Sequence, residues 1–491
     1  MTFSADDTAR PPLPPPPSTR RLAGLFLLGW IPRLILALVF LRLPIGLDDM
    51  YQYDMLGLSL ARGHGYRWYQ RDYVRQIETY LDQNYAVDLA PESVPEEGLV
   101  TTFRAPGYPL MLAAIYRLVG EGDRLAAVRV IQTVLGALLA PLTLVVGRRL
   151  RLPPRAQLLA GIVVGLYPIL WMYPIGLGSE NLFFLLTLLG VILLLRASDD
   201  GRPASAAAAG AVLASAALTR GTLTLFLAFA AVWFVRRAGW RRGFLFALAA
   251  AALLVPWALR NSAVLGRPAF IENSLGYNLF VSYHPEGDGG FVARVALIPT
   301  RFMDDGERDA WTMDQALGFI RADPGRALSL LPRRLAYLAG FESRELIFFY
   351  AGNLFGPIPS SLLILAYLLL VLPWVATAAA APFGLAAAAY HPGRNLILLL
   401  IAATVLAHVP VLAEPRFHLP LVPFLAPFAA TLWLRPASFL PSRFPGGRQA
   451  YILASAALLI LLAAWSWDFA RQLPKLDAVL APGGNTLRLD Y

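Results

Sequence analysis

Long apolar blocks, separated by short arginine-bearing stretches, dominate the pattern of this chain. Eleven of them are found at 22–43, 125–147, 156–174, 181–196, 204–219, 222–235, 244–259, 360–377, 396–413, 420–434 and 450–467. Most run to roughly 15–23 residues, the length that crosses a hydrocarbon core about 30 Å thick. Leu, Ala, Val and Phe occupy all sides of these blocks, so the one-sided stripe of a soluble amphipathic helix is missing. A twelfth apolar stretch, 106–119, is shorter, contains Arg117 and starts with Pro106, Gly107 and Pro109. Its length predicts a helix lying along the membrane surface.

The arginines orient the blocks. With the amino terminus inside and 106–119 left out of the count, Arg148, Arg149, Arg151 and Arg155 fall in the cytoplasm. So do Arg196 and Arg202, the cluster Arg236, Arg237, Arg241 and Arg242, then Arg394, Arg435, Arg443 and Arg448. Short loops on the far side hold only Arg220 and Arg416. Counting 106–119 as a span reverses most of these positions and breaks the positive-inside rule. The prediction is a plasma (inner) membrane protein with its amino terminus in the cytoplasm. Three parts follow: a Pro-rich cytoplasmic tail at 1–21 that builds no core, a transmembrane domain at 22–467, and an extracytoplasmic tail at 468–491. Two long segments, 44–124 and 260–359, then lie outside, and outer loops fixed to a rigid bundle are where sites are usually built.

Composition narrows the class. Hydrophobic residues make up 57% of the 491 and charged residues 15%, whereas a soluble domain sits nearer a quarter charged. The net charge of +10 is almost all arginine, Lys475 being the one lysine. These arginines are spread between spans and not gathered on one face, which speaks against a nucleic-acid partner. With no cysteine, neither disulfides nor thiolate ligation is available. The five histidines show no HxxxH or HxxE spacing, and His391 and His408 read as structural. No cofactor is identified, and a divalent metal is left open.

Chemistry-bearing residues gather at the predicted outer ends. Asp48 and Asp49 follow the first span beside Tyr51 and Tyr53, in a low-dielectric border zone expected to raise a carboxyl pKa toward that of a general base. A solvated loop start or helix cap is the plain alternative. Arg104 stands just ahead of a helix amino terminus, where its guanidinium and free N–H groups can share one anion, or where it can reach lipid headgroups. Glu180 heads a span, as a cap or as a functional acid. Arg260 and Asn261 close another span, and Arg416 sits in the tiny loop Glu414-Pro415-Arg416-Phe417-His418.

Taken in order, these pieces resemble the GT-C superfamily of membrane glycosyltransferases, and in particular family 39 protein mannosyltransferases and their aminoarabinose-transferase relatives. Asp49 with Tyr53 and then Gly63-His64-Gly65-Tyr66 is similar to the first-loop pattern, and Arg104-Ala105-Pro106-Gly107-Tyr108-Pro109 to an R-x-P-G-Y-P signature. Ser179-Glu180, Pro256-Trp257 with Arg260-Asn261, and Glu414 with Arg416-Phe417 and Pro420 match later landmarks. The resemblance spans nearly the whole chain. It implies an all-α polytopic GT-C-type bundle of about 11 transmembrane helices, with two long extracytoplasmic loops carrying juxtamembrane helices.

The same resemblance implies transfer of a single sugar from a polyprenyl-phosphate donor to a lipid, glycan or protein acceptor on the outer face. Asp49 would be the base, with Asp48 next to it keeping the register open and Glu180 a second acid. Arg104, Tyr53, Tyr108, Arg260, Asn261 and Arg416 would bind the substrate and its lipid phosphate. Arg220 serves as the membrane-anchoring comparison. Many relatives of the mannosyltransferase type carry an added soluble domain that is not visible here, which disfavours a protein acceptor. A lipid-linked oligosaccharide ligase or polymerase is the alternative. A transporter or flippase is another, but it would want charged residues lining the bundle midplane, and here they collect at the outer ends.

Overall fold

The computed structural model describes residues 13–46, 49–85, 91–301, 304–353 and 356–487. Asp48, Leu47 and the first twelve residues lie outside them. The fold is all-α: among the described residues the only sheet is a two-stranded antiparallel clasp, Arg67–Trp68 on Leu99–Val100. Each of the eleven apolar blocks is helical. Among the described residues seven helices are long and apolar enough to cross a membrane: Thr19–Val39, Arg124–Arg149, Glu180–Asp200, Gly221–Ala238, Trp240–Leu265, Ser360–Ala387 and Gly447–Leu480. The other blocks hold shorter helices, Pro154–Gly165 with Ile169–Met172, Pro203–Ala217, Pro392–His408 and Val422–Trp433. Proline accounts for much of the shortening, since Pro168, Pro174, Pro410, Pro415 and Pro420 stand where those helices start, bend or stop.

Membrane helices face lipid on one side and protein on the other, so both faces are apolar and size decides which is buried. The first helix buries Leu25, Gly29, Arg33 and Ala37, and exposes Leu27, Ile31, Ile35 and Leu38. Small residues set the close crossings. Glu180–Asp200 packs on Pro203–Ala217, which packs in turn on Trp240–Leu265. There a Cβ on Gly210 would lie 2.1 Å from the Phe246 carbonyl oxygen, and at the crossing of Ser360–Ala387 with Val422–Trp433 one on Gly384 would lie 2.0 Å from that of Phe428.

Two polar-capped regions sit at one end of this bundle. The first carries helices Asp49–Arg62, Arg71–Tyr85 and Gly107–Val119; the second carries Leu275–Tyr283, Asp305–Ala322, Pro324–Ala339 and Arg344–Ala351. Asp304 starts one of these helices by accepting the Gly306 and Glu307 N–H groups, and Asp323 starts the next by accepting that of Arg326. The expected surface stretch is the 13-residue helix Gly107–Val119, about 20 Å long and short of a hydrocarbon core. Asp305 clasps the two regions together, accepting from Thr101 Oγ1 at 2.7 Å and Thr102 N at 2.6 Å. Residues 468–480, set apart in the sequence as a tail, continue the last helix, and Asp468 ties it to the second region through the Phe341 N–H at 2.8 Å.

Candidate active site

Asp49 opens the Asp49–Arg62 helix, and helical spacing puts Gln52 and Tyr53 on the same face. Arg104 reaches that face from a loop held on both sides. Tyr66 Oη donates to the Arg104 and Ala105 carbonyls at 2.9 and 3.2 Å, and the Gly107 N–H donates to Leu218 O at 2.7 Å. Position 107 has to be glycine, because a Cβ there would lie 2.6 Å from Thr219 Oγ1 and 2.9 Å from Leu218 O. So fixed, Arg104 pairs with Asp49 through Nη2 and donates to Gln52 Oε1 at 2.6 and 2.9 Å, its guanidinium facing the Tyr53 and Phe103 rings.

The pair belongs to a larger array of alternating charge. Arg416 Nη2 lies 3.6 Å from Asp49 Oδ2, its Nη1 3.7 Å from Glu180 Oε1, and its Nε donates to Glu414 Oε2 at 2.7 Å. Arg220 donates to Glu180 Oε1 at 2.7 Å and to Ser179 Oγ at 3.0 Å, and Arg344 holds the other oxygen of Glu414 at 2.6 Å. Glu180 and Glu414 are buried, whereas the Asp49 side chain is 34% exposed. Glu272 closes the back: Arg104 and Arg220 lie near it, and it accepts from the Gly221 and Ala105 N–H groups, while burial pushes its carboxyl up. Four guanidiniums therefore interleave with the ion-paired carboxylates Asp49, Glu180 and Glu414, with Glu272 behind them.

The expected rise in the Asp49 pKa is reversed. Burial does work to raise it, but Arg104, Arg416 and Arg220 together outweigh that and hold the carboxyl at about 2. The sequence places two of these arginines far from Asp49 along the chain, so only the folded arrangement reveals the balance. Glu414 is likewise held below the usual carboxylate range, burial being outweighed by Arg416 and Arg344.

Asp49, Tyr53, Arg104, Glu180 and Arg416 are thus brought together. Tyr108 forms the layer beneath: fully buried, it donates to Gln132 Oε1 at 3.0 Å and meets Tyr53 edge-on at 5.0 Å. Arg260 and Asn261 are placed elsewhere. Arg260 lies over the Trp257 and Tyr66 rings and donates to Thr101 O at 2.5 Å, while Asn261 Nδ2 donates to Phe270 O at 2.8 Å. Their donors go to backbone carbonyls that need partners, as in a buttress. Arg220, set aside as an anchoring comparison, stands inside the array. Its signal was available, since it shared with Arg416 the outer-side position that the arginine pattern disfavours. Arg344, Gln52 and Glu272 carried no local signal. Among the described residues no three His, Asp or Glu side chains gather as a metal site.

No protein-family model matches the sequence, and no curated protein does. Solved structures do resemble the fold. One is the oligosaccharyltransferase AglB from Archaeoglobus fulgidus in complex with an inhibitory peptide and a dolichol-phosphate, 13% identical, with a TM-score of 0.45 over 96% of this chain and 61% of that one. The apo form of the Archaeoglobus fulgidus oligosaccharyltransferase is 14% identical at a TM-score of 0.44, and this chain spans only 56% of its length. Another is ArnT from Cupriavidus metallidurans bound to undecaprenyl phosphate, 14% identical, with a TM-score of 0.38 over 93% of this chain and 91% of that one.

Proposed function

We propose that the chain is a membrane glycosyltransferase that moves one sugar from a polyprenyl-phosphate carrier to an acceptor hydroxyl or amine at the extracytoplasmic end of the bundle. The observation that carries this reading is the part-exposed Asp49 paired with Arg104 and facing Arg416, with Arg220 close by. A carrier phosphate buries its tail in the bilayer and brings its charge to the membrane border. Arg104, Arg416 and Arg220 are the groups that would receive it, each as a planar fork of donors matched to phosphate oxygens.

The same exchange arms the base. A phosphate that takes over Arg104 and Arg416 removes the cations holding Asp49 near 2 and adds an anion beside it, so the carboxylate becomes more basic when substrate is present. Asp49 then takes the proton of the acceptor O–H or N–H. The acceptor atom bonds to the anomeric carbon, the bond from that carbon to the phosphate oxygen breaks, and its electron pair leaves on the lipid monophosphate. The phosphodiester carries about one negative charge and the departing monoester approaches two, so the arginines bind the transition state better than the ground state. Direct displacement inverts the sugar carbon.

The test is incubation of purified protein with a short-chain polyprenyl-phosphate hexose and envelope glycolipid extracts, read by product mass. A single added sugar, lost in Asp49→Asn, is the expected result. Block transfer would make the chain an oligosaccharide ligase, and carrier movement with no bond formed would make it a flippase.

A further inference from the structure

Between the second outer region and the outer turns of the last helix lies a cavity of about 300 Å³, in the size range of small-molecule sites. Glu414 is part of its wall and also accepts from Arg416, which faces Asp49, so the cavity and the charged array share one side. The rest of the lining is mixed. Phe291, Phe341 and Tyr337 bring aromatic rings, a common wall for sugars, and Arg344, Arg471 and Lys475 bring cations.

The acids of the lining are engaged. Glu414 is held by Arg416 and Arg344, Glu286 by Arg294, and Asp288 accepts from the Tyr337 hydroxyl. Arg471 gives Nη2 to Asp468 at 2.9 Å and lies 4.5 Å over the Tyr337 ring, yet its Nε is buried with no hydrogen-bond partner. Lys475, the only lysine in the chain, follows one helical turn later on the same face. A polyprenyl tail is a poor occupant of a chamber whose wall includes Glu286, Asp288, Arg344, Glu414, Arg471 and Lys475.

We infer that this cavity is the acceptor subsite, and that the acceptor is a saccharide bearing a phosphate or carboxylate. The anion sits on Arg471 and Lys475, the ring lies in the aromatic part of the chamber near Phe291 and Phe341, and the reacting hydroxyl or amine projects past Glu414 toward Asp49. This assignment rests on the glycosyltransferase reading above.

Binding to the full chain in lipid nanodiscs tests it, with glucose 6-phosphate and glucuronate against glucose as probes and a short-chain polyprenyl monophosphate as the donor-side control. A charge-assisted contact implies a preference for the anionic sugars of about tenfold or more. Lys475→Gln is expected to abolish the preference, and Val292→Trp, filling the cavity from another wall, to abolish binding of all three sugars. Both variants should bind the polyprenyl monophosphate as wild type does, which also reports that they fold. Equal binding of glucose and the anionic sugars, or an undiminished preference in Lys475→Gln, overturns the subsite. If donor turnover is intact in that case, only the subsite falls. A clear anionic preference in a protein that never cleaves a polyprenyl-phosphate sugar overturns the transferase reading and, with it, the acceptor role of the cavity.

Discussion

Asp49 is held at about 2 by Arg104, Arg416 and Arg220 against the upward push of burial, so the free protein keeps it ionised throughout the physiological range. Because kcat/KM reports groups of the free enzyme and kcat those of the complex, the two should part company in acid. As a lowered carboxylate pKa fails only below its own value, kcat/KM should stay level down to about pH 4, whereas kcat should fall at higher pH, where the phosphate-bound Asp49 begins to protonate. A shared acid limb in both profiles would refute substrate-triggered basicity. Asp49→Asn keeps the shape of the residue and should lower kcat by about 10²–10⁴ while leaving carrier binding nearly intact. The arginines make a separate case. Arg416 spreads three nitrogens over Glu414, Glu180 and Asp49, a geometry that a point-charged lysine cannot reproduce. Arg416→Lys, Arg104→Lys and Arg220→Lys should each cost about 2–4 kcal/mol in the barrier, or roughly 30- to 1000-fold in turnover. Arg260→Lys should instead reduce thermal stability, through its carbonyl and ring contacts, with turnover per folded molecule nearly unchanged. Turnover at matched protein levels separates the two groups. If Arg260 behaves like the other three, the division drawn from the contacts is wrong.

At the scale of elements, the loop before Gly107–Val119 sets two arginines at once. Gly107 lies against Leu218 and Thr219, and the next residue of that turn is Arg220, so Arg104 and Arg220 share one backbone contact. Gly107→Ala places a methyl 2.6 Å from Thr219 Oγ1 and must push the two loops apart. Displacements near 1 Å can cost about a hundredfold in rate, so turnover should drop at least about tenfold in a protein that still inserts and folds. Unchanged turnover with the loop intact would show that the contact does not position the arginines. This contact also marks what the sequence made legible. The apolar blocks were readable because lipid demands apolar residues on the outer face, and the 104–109 motif because proline and glycine punctuate it. Arg220 is less legible, because the Ser179 and Glu180 that hold its guanidinium lie 41 and 40 residues away at the head of a neighbouring helix. For Arg260 the sequence sets its level at the end of the Trp240–Leu265 helix but not the direction of its guanidinium, which turns to carbonyls of the first outer region. The Asp49 pKa needed three arginines whose approach only the fold supplies.

For the whole molecule, the arginine pattern and the fold bear on one question, which side of the membrane the array faces. The array and the cavity lie at one end, with the 49–124 and 266–359 regions, while Arg148, Arg149, Arg236, Arg237, Arg435, Arg443 and Arg448 fall at the ends of helices or in turns assigned to the other side. If positive charge stays in the cytoplasm, the array faces outward and the carrier has to present its sugar there. The absence of cysteine from the chain makes the test clean, because any introduced thiol is the only one. Ser93 and Ala322 are exposed on the proposed outer side, and Ala204 and Ser442 are exposed on the other. In intact cells, Ser93→Cys and Ala322→Cys should react with a membrane-impermeant maleimide, while Ala204→Cys and Ser442→Cys should react only after permeabilisation. The reversed pattern would put the array in the cytoplasm and overturn transfer at the extracytoplasmic end. Labelling of one outer position without the other would mean that the two regions clasped through Asp305 and Thr101 do not share a side, which the 2.7 Å hydrogen bond between them does not permit.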